Sequence, residues 1–333
     1  MTPLLVAGSS VSTPNLQELL LTIVRTLLAA LGLALAPLNV LQAAAPSAPP
    51  PLPLSDQLCS PTVYDHPENR EAVQLVDAAG AEIQQRGAAA LADFRAKGSR
   101  WNNGDRYVFV LTPSAEILVY PPDPALETRG ATAANSLQTT AGRRTGLRLV
   151  AAANSRRGCG WVHYRIPRPG QKEPQWKSTY VERFVAPNNT VYLVGSGAYN
   201  SRMEKAFAVD EVEAAAALIA KEGRKAFAEL RDPEGRFIFH DTYVFVNNTA
   251  GVELVNPAFP ALEGQNLSAS RDRNGSFFVR DYIRLATSKG SGWIRYQWPR
   301  PTNPGQPETK LTYVREVKTP QGETLVVGSG LYE

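Results

Sequence analysis

Lys310 and Tyr313 stand together in the word "KLTYV", and the same word recurs as "KSTYV" at Lys177. A lysine beside a phenol, in a strand-like setting, suits anion capture: the ammonium supplies charge and the hydroxyl a directed hydrogen bond. Upstream, "WIRYQWPRP" (293–301) adds Tyr296 as a second donor and Trp298 as an apolar wall. Asn256, just before Pro257, and Arg280 or Arg284, on an amphipathic stretch, complete a candidate set for a short carboxylate. Each has a blander reading. For Tyr296, Tyr313 and Trp298 it is core packing with a satisfied polar tip. For Lys310 it is a solvated strand end, and for the arginines a solvated helix face.

Other chemistries find little support. The three histidines, His66, His163 and His240, are not at metal-ligand spacing with one another or with a cysteine. "GSG" occurs at 195–197 and 328–330, but neither copy leads into a helix, and Ser196 and Ser329 have no evident histidine partner. Those glycines are assigned to a tight backbone approach at strand ends. No catalysis, metal or cofactor is expected. Net charge is +4 and the basic residues are scattered, which argues against a nucleic-acid partner. With 43% apolar and 20% charged residues, the chain has the composition of a folded protein.

The elements that must position these residues come in duplicate. Residues 68–127 align without a gap onto 204–263, with 25 of 60 positions identical. "GAAALADFR" matches "GRKAFAELR", "YVFV" recurs at Tyr107 and Tyr243, and "PALE" at Pro124 and Pro260. The match resumes at "WVHYRIPRP" (161–169) and closes on "LVGSGAY" and "VVGSGLY". A period this long is a whole domain, not a solenoid unit. The predicted organisation is 1–45 signal peptide or N-terminal anchor, 46–59 proline-rich linker, 60–200 first domain and 201–333 second domain.

In the second copy, Phe207, Val212, Ala215, Ile219, Ala226, Phe227 and Leu230 recur among charges. That pattern predicts one amphipathic helix over 203–231, ended by the turn "DPEG". Strands are predicted at 243–246 and 252–255, a shorter amphipathic segment within 275–290, and strands at 293–298, 310–315 and 324–328. Alternation puts Ile294, Tyr296 and Trp298 on one face of their strand, opposite Trp293, Arg295 and Gln297. Pro299 and Pro301 are expected to end it. A long helix followed by antiparallel strands makes the fold α+β.

At the N-terminus, Arg25 precedes the uncharged "TLLAALGLALAPL" and a run of small residues, which reads as an export signal; the rival is an uncleaved anchor. "PSAPPPLPLSDQ" follows as an extended linker outside any core. Cys59 and Cys159 are the only cysteines; an oxidising compartment permits a bridge, and two unrelated thiols are the alternative.

"GSGWIRYQWPRP", Lys310-x-x-Tyr313, "VVGSGLY" and "LVNPAFPALEGQN" together resemble Cache domains of the single-Cache type 2 group. The resemblance spans most of 204–333, with a weaker copy over 68–200. It implies tandem PAS-like domains and extracytoplasmic, periplasmic sensing of small molecules, commonly short organic acids. The first copy departs from the pattern: Ile166 stands for Trp298, and Thr128 follows Glu127 where Gly264 follows Glu263. Its middle segment, 128–158, is longer and poor in large apolar residues. Binding of a small organic anion is therefore expected in the second copy. The signal is expected to pass to a separate partner, a membrane receptor or histidine kinase. The alternative is a ligand-free scaffold that binds a membrane protein or a second copy of itself.

Overall fold

Gly87 and Gly223 occupy equivalent places in the repeat, and each stops a long helix. The computed structural model describes residues 53–128 and 145–333. Helix α1 (Pro67–Arg86) ends on Gly87 at φ 59°, and the second long helix, Lys205–Glu222, on Gly223 at φ 63°. Positive φ is accessible to glycine at little cost, so the chain turns there. Each cap N–H reaches back to an isoleucine carbonyl, Ile83 or Ile219. The single helix predicted over 203–231 is thus corrected to Lys205–Glu222, a 3-10 turn at Gly223–Ala226 and a short helix at Phe227–Leu230.

Each copy then builds a five-stranded antiparallel sheet. The first comprises β1 (Phe109–Leu111), β2 (Ile117–Val119), β3 (Cys159–Pro167), β4 (Pro174–Val185) and β5 (Val191–Tyr199), in the order β2-β1-β5-β4-β3. The second comprises β6 (Phe245–Asn248), β7 (Glu253–Val255), β8 (Ser291–Arg300), β9 (Asn303–Lys318) and β10 (Thr324–Tyr332), in the order β7-β6-β10-β9-β8. Identical order in both sheets is what a duplicated α+β unit requires. The other two main helices are α2 (Thr145–Ala153) and, in the second copy, Phe278–Lys289; in chain order Lys205–Glu222 is α3 and Phe278–Lys289 is α4. The long helix covers one face of each sheet and the short helix the other, giving two apolar cores per copy. Among the described residues, no helix is long and apolar enough to cross a membrane.

Three further expectations need correction. The strand holding Tyr296 and Trp298 does not end before Pro299; Pro299 pairs with Pro307, and the hairpin closes at Arg300 and Asn303. β8 is an edge strand, where a missing N–H can be tolerated. The "GSG" words lie inside β5 and β10, not at their ends. The close approach assigned to them is real: a Cβ on Gly195 would fall 2.2 Å from the Phe109 ring, and one on Gly328 2.3 Å from the Phe245 ring. Finally, the end of the linker is not extended. Leu54–Asp56 forms a 3-10 turn and Leu58 is buried in the first copy's core. Tyr64 Oη donates to the Leu58 carbonyl, and Cys59 is disulfide-bonded to Cys159 on β3, so this stretch is pinned from two sides. The signal or anchor reading of 1–45, the start of the linker and residues 129–144 of the first copy's middle segment lie outside the described residues.

Candidate ligand-binding site

The side chain of Lys310 leaves β9 on the face covered by α4, between Tyr296 of β8 and Tyr332 of β10, its register partners. It is fully buried. Its ammonium lies 4.0 Å from the centre of the Tyr243 ring and 5.2 Å from that of Tyr332, yet Nζ has no hydrogen-bond partner. Ring faces attract a cation, but they do not replace the hydrogen bonds an ammonium loses on leaving water. Burial accordingly pulls the Lys310 pKa down to about 7, against the opposing pull of Glu253, Glu211 and Asp241.

Facing it is a polar cluster set in an aromatic wall. Asn247 Nδ2 donates to Glu253 at 2.7 Å, Asn256 Nδ2 donates to the other Glu253 oxygen at 2.9 Å, and Tyr282 Oη of α4 donates to Asn247 Oδ1 at 2.7 Å. Burial pushes the Glu253 carboxyl up to about 7 although both amides favour its charged form. Trp298 Nε1 donates to Tyr243 Oη, Thr312 Oγ1 to Tyr296 Oη, and Phe278 stacks on Tyr296 at 4.7 Å. Tyr243, Glu253, Asn256, Phe278, Tyr296 and Trp298 lie around a cavity of about 10 Å³. That is room for roughly one water.

Asn256 is held by a clip that explains two of the repeated words. Arg231, of "FAELR", forms a two-pronged ion pair with Glu263, of "PALE", and donates to the Leu254 carbonyl. Glu263 in turn accepts from the Asn256 backbone N–H at 2.8 Å. In the first copy Arg95, Glu127, the Leu118 carbonyl and the Tyr120 N–H repeat this arrangement.

The structure therefore brings Lys310, Tyr296, Trp298 and Asn256 to one face of the sheet. Tyr313 is not there, which corrects its assignment. Side chains three positions apart on a strand point to opposite faces, and Tyr313 packs against Trp293 and donates to Glu213 of α3. Arg280 and Arg284 are corrected too. Both are exposed on α4, Arg280 over the Phe277 ring at 3.5 Å and Arg284 paired with Asp281 at 2.8 Å. The amphipathic pattern gives α4 its buried face through Phe278, Val279, Tyr282, Ile283 and Ala286, and both arginines fall on the other side. The sequence reading missed Glu253, Asn247, Tyr282 and Tyr243. A usable signal was present: Glu253 aligns with Ile117 and Asn247 with Leu111, so polar residues replace apolar ones at core positions of a repeat. Ser196 and Ser329, considered as nucleophiles, donate to the Tyr107 carbonyl and to Glu211.

In the first copy Lys177 is also buried, but Nζ donates to Tyr107 Oη at 2.5 Å. Its surroundings are Phe109, Tyr120, Leu149, Tyr164 and Ile166, around a cavity again near 10 Å³.

The family model of the Cache domain matches residues 75–239 and 233–333. The methyl-accepting chemotaxis protein McpP of Pseudomonas putida is 34% identical over 93 residues, which is 28% of this chain and only 16% of that protein's length. A solved periplasmic sensor domain of a chemotaxis protein is 33% identical, covering 37% of this chain and 86% of that one, with a TM-score of 0.31. A Cache chemosensory domain solved to explain carboxylic acid recognition is 31% identical, over 33% of this chain and 69% of the other, with a TM-score of 0.29. With the family model spanning both copies of the repeat, the chain belongs to the Cache domain family.

Proposed function

We propose that the chain is an extracytoplasmic sensor whose second domain, 201–333, binds a short organic acid beside Lys310. In this reading the first domain, 60–200, is a divergent partner, residues 1–45 are the export signal or anchor, and the signal passes to a membrane receptor or histidine kinase. One observation carries it: Lys310 Nζ is fully buried and makes no hydrogen bond. A buried cation without a counter-ion is costly, and a ligand carboxylate relieves that cost. Tyr296 and Trp298 then supply the wall and Asn256 a donor at the rim. A ligand of about five heavy atoms, at a ceiling near 1.5 kcal/mol each, reaches a dissociation constant of a few micromolar at best. The present cavity is too small for it, so entry requires α4 and the 257–277 connection to move outward. Glu253 adds a second constraint: it accepts the ligand's neighbourhood as a neutral acid and repels a carboxylate once ionised.

The cavity's size favours the scaffold reading, in which Phe278, Tyr296 and Trp298 fill the site for good. Thermal unfolding of the full chain against short carboxylates, amino acids and amines separates the two. Sensing predicts an upward shift from carboxylates alone, by several degrees at a hundredfold excess over the dissociation constant, and its loss in Lys310→Met. A flat panel overturns sensing in favour of the scaffold. A shift that survives Lys310→Met overturns the site.

A further inference from the structure

A roomier cavity than the one beside Lys310 lies elsewhere, where the two copies meet. Helix α2 and β3 of the first copy, the first turns of α3 and the loop carrying Arg236 surround a cavity of about 200 Å³. It suits a small solute far better than the 10 Å³ beside Lys310.

Its described walls carry more arginines than acids. Arg148, Arg157 and Arg236 line it, with Asp210, Glu211 and His163. Asp210 is already engaged by Arg157 at 2.7 Å and lies 3.6 Å from Arg236. Arg148 forms no ion pair or hydrogen bond among the described residues. Burial and the neighbouring Arg236 pull its pKa down to about 10, against weaker support from Asp232 and Glu229. Glu211 is buried; one carboxyl oxygen accepts from Ser329, and the other, Oε1, has no partner. Burial lifts its pKa to about 8, against the opposing pull of Ser329, Arg236 and Lys310. His163 is buried and bonded to Ser178 at 2.9 Å, and burial holds its pKa well below the ordinary value, so it adds no charge. Among the described lining residues, three guanidiniums face two carboxyl groups, Asp210 and Glu211, with Asp232 and Glu229 acting on Arg148 from farther off.

We propose that this interlobe cavity is a second ligand site, which takes a small dianionic oxyanion on Arg148, Arg157 and Arg236. Guanidiniums present planar pairs of donors that match carboxylate and phosphate oxygens. The unpartnered Glu211 Oε1 marks a place where a ligand oxygen completes a hydrogen bond. None of the four residues lines the pocket beside Lys310, and only Glu211 acts on that lysine, so the three arginines can be tested apart from the function proposed above. Its position also differs: a molecule bound here touches α2 and β3 of one copy and α3 of the other.

The test is titration calorimetry of the full chain at pH 7 and low salt, with sodium succinate and sodium phosphate as probes and acetate as the monoanionic control. Saturable one-to-one binding of succinate or phosphate, at least about tenfold tighter than acetate, is the expected result. Succinate alone identifies a dicarboxylate site, and phosphate alone a phosphate site. Arg148→Leu removes the binding. Arg236→Gln weakens it about tenfold and serves if Arg148→Leu fails to fold. Lys310→Met leaves it unchanged. Saturation by neither dianion overturns the proposal. So does binding that survives both arginine variants, or that disappears with Lys310→Met, which would move the anion to the second domain's pocket.

Discussion

Lys177 and Lys310 occupy equivalent points of the two sheets, yet they live in different company. Both are buried under a short helix beside a repeated tyrosine, and burial pulls both pKa values down to about 7. Around Lys310 stand Glu253, Asn247, Asn256 and Tyr282. At the aligned positions the first copy has Ile117, Leu111 and Tyr120, with Leu149 on its short helix. Lys177 satisfies itself on Tyr107, whereas Lys310 has no hydrogen bond. The lysine is thus part of the inherited framework, and the polar shell is what distinguishes the second copy from the first. A buried polar cluster is costly unless satisfied, and here Glu253, Asn247, Asn256 and Tyr282 bond to one another.

The sharpest way to break the comparison is to damage one copy and read the other. The Cys59–Cys159 disulfide closes a loop of 100 residues within the first copy. Changing both cysteines to serine is expected to lower stability by about 2–5 kcal/mol, read as a lower unfolding temperature. Carboxylate affinity in the second copy should stay within about twofold. A large loss of affinity would show that the copies do not act separately.

Next in size is the lysine swap. Lys310→Met is expected to cost about 2 kcal/mol or more of carboxylate binding, roughly thirtyfold, while Lys177→Met leaves affinity unchanged. Equal losses from both variants would mean that the first copy binds too. Calorimetric titration of each variant decides it.

The pH profile sharpens the same contrast. Lys310 must be protonated to hold a carboxylate, and it loses its proton around pH 7; Glu253 gains its negative charge in the same window. Both changes act in one direction, so affinity falls as pH rises, by about fivefold between pH 7 and pH 8 for the lysine alone and little below pH 6. Glu253→Gln should make the decline shallower. A flat profile from pH 6 to 8 would remove the buried lysine from the binding step.

The smallest effect concerns the repeated clip. Glu263→Gln weakens its hold on Arg231 and on the Asn256 N–H, and is expected to cost about 1 kcal/mol of stability and about fivefold in affinity. Glu127→Gln should cost similar stability and no affinity. Thermal unfolding of the two variants, paired with titration, reads both.

Much of this molecule was legible before any coordinates. The duplication, the α+β class and the antiparallel strands followed from alignment of the copies and from periodicity, because side-chain direction repeats every two residues in a strand and about every 3.6 in a helix. The same rule, applied strictly, separates Lys310 from Tyr313 by their odd spacing and puts Arg280 and Arg284 outside, yet the sequence reading grouped all four in one site. Gly223 carried a stop that the apolar periodicity of 203–231 obscured, because a positive φ depends on what the chain must do next. What only the tertiary structure decided is which distant groups meet. Glu253 finds Asn247, Asn256 and Lys310 across strands and a bulged hairpin, and Arg231 finds Glu263 across 32 residues. The disulfide and the arginine-lined cavity arise the same way, from packing of elements far apart in the chain. Local sequence dictates direction and period; burial, charge compensation and cavity volume are sums over neighbours that only the folded chain assembles.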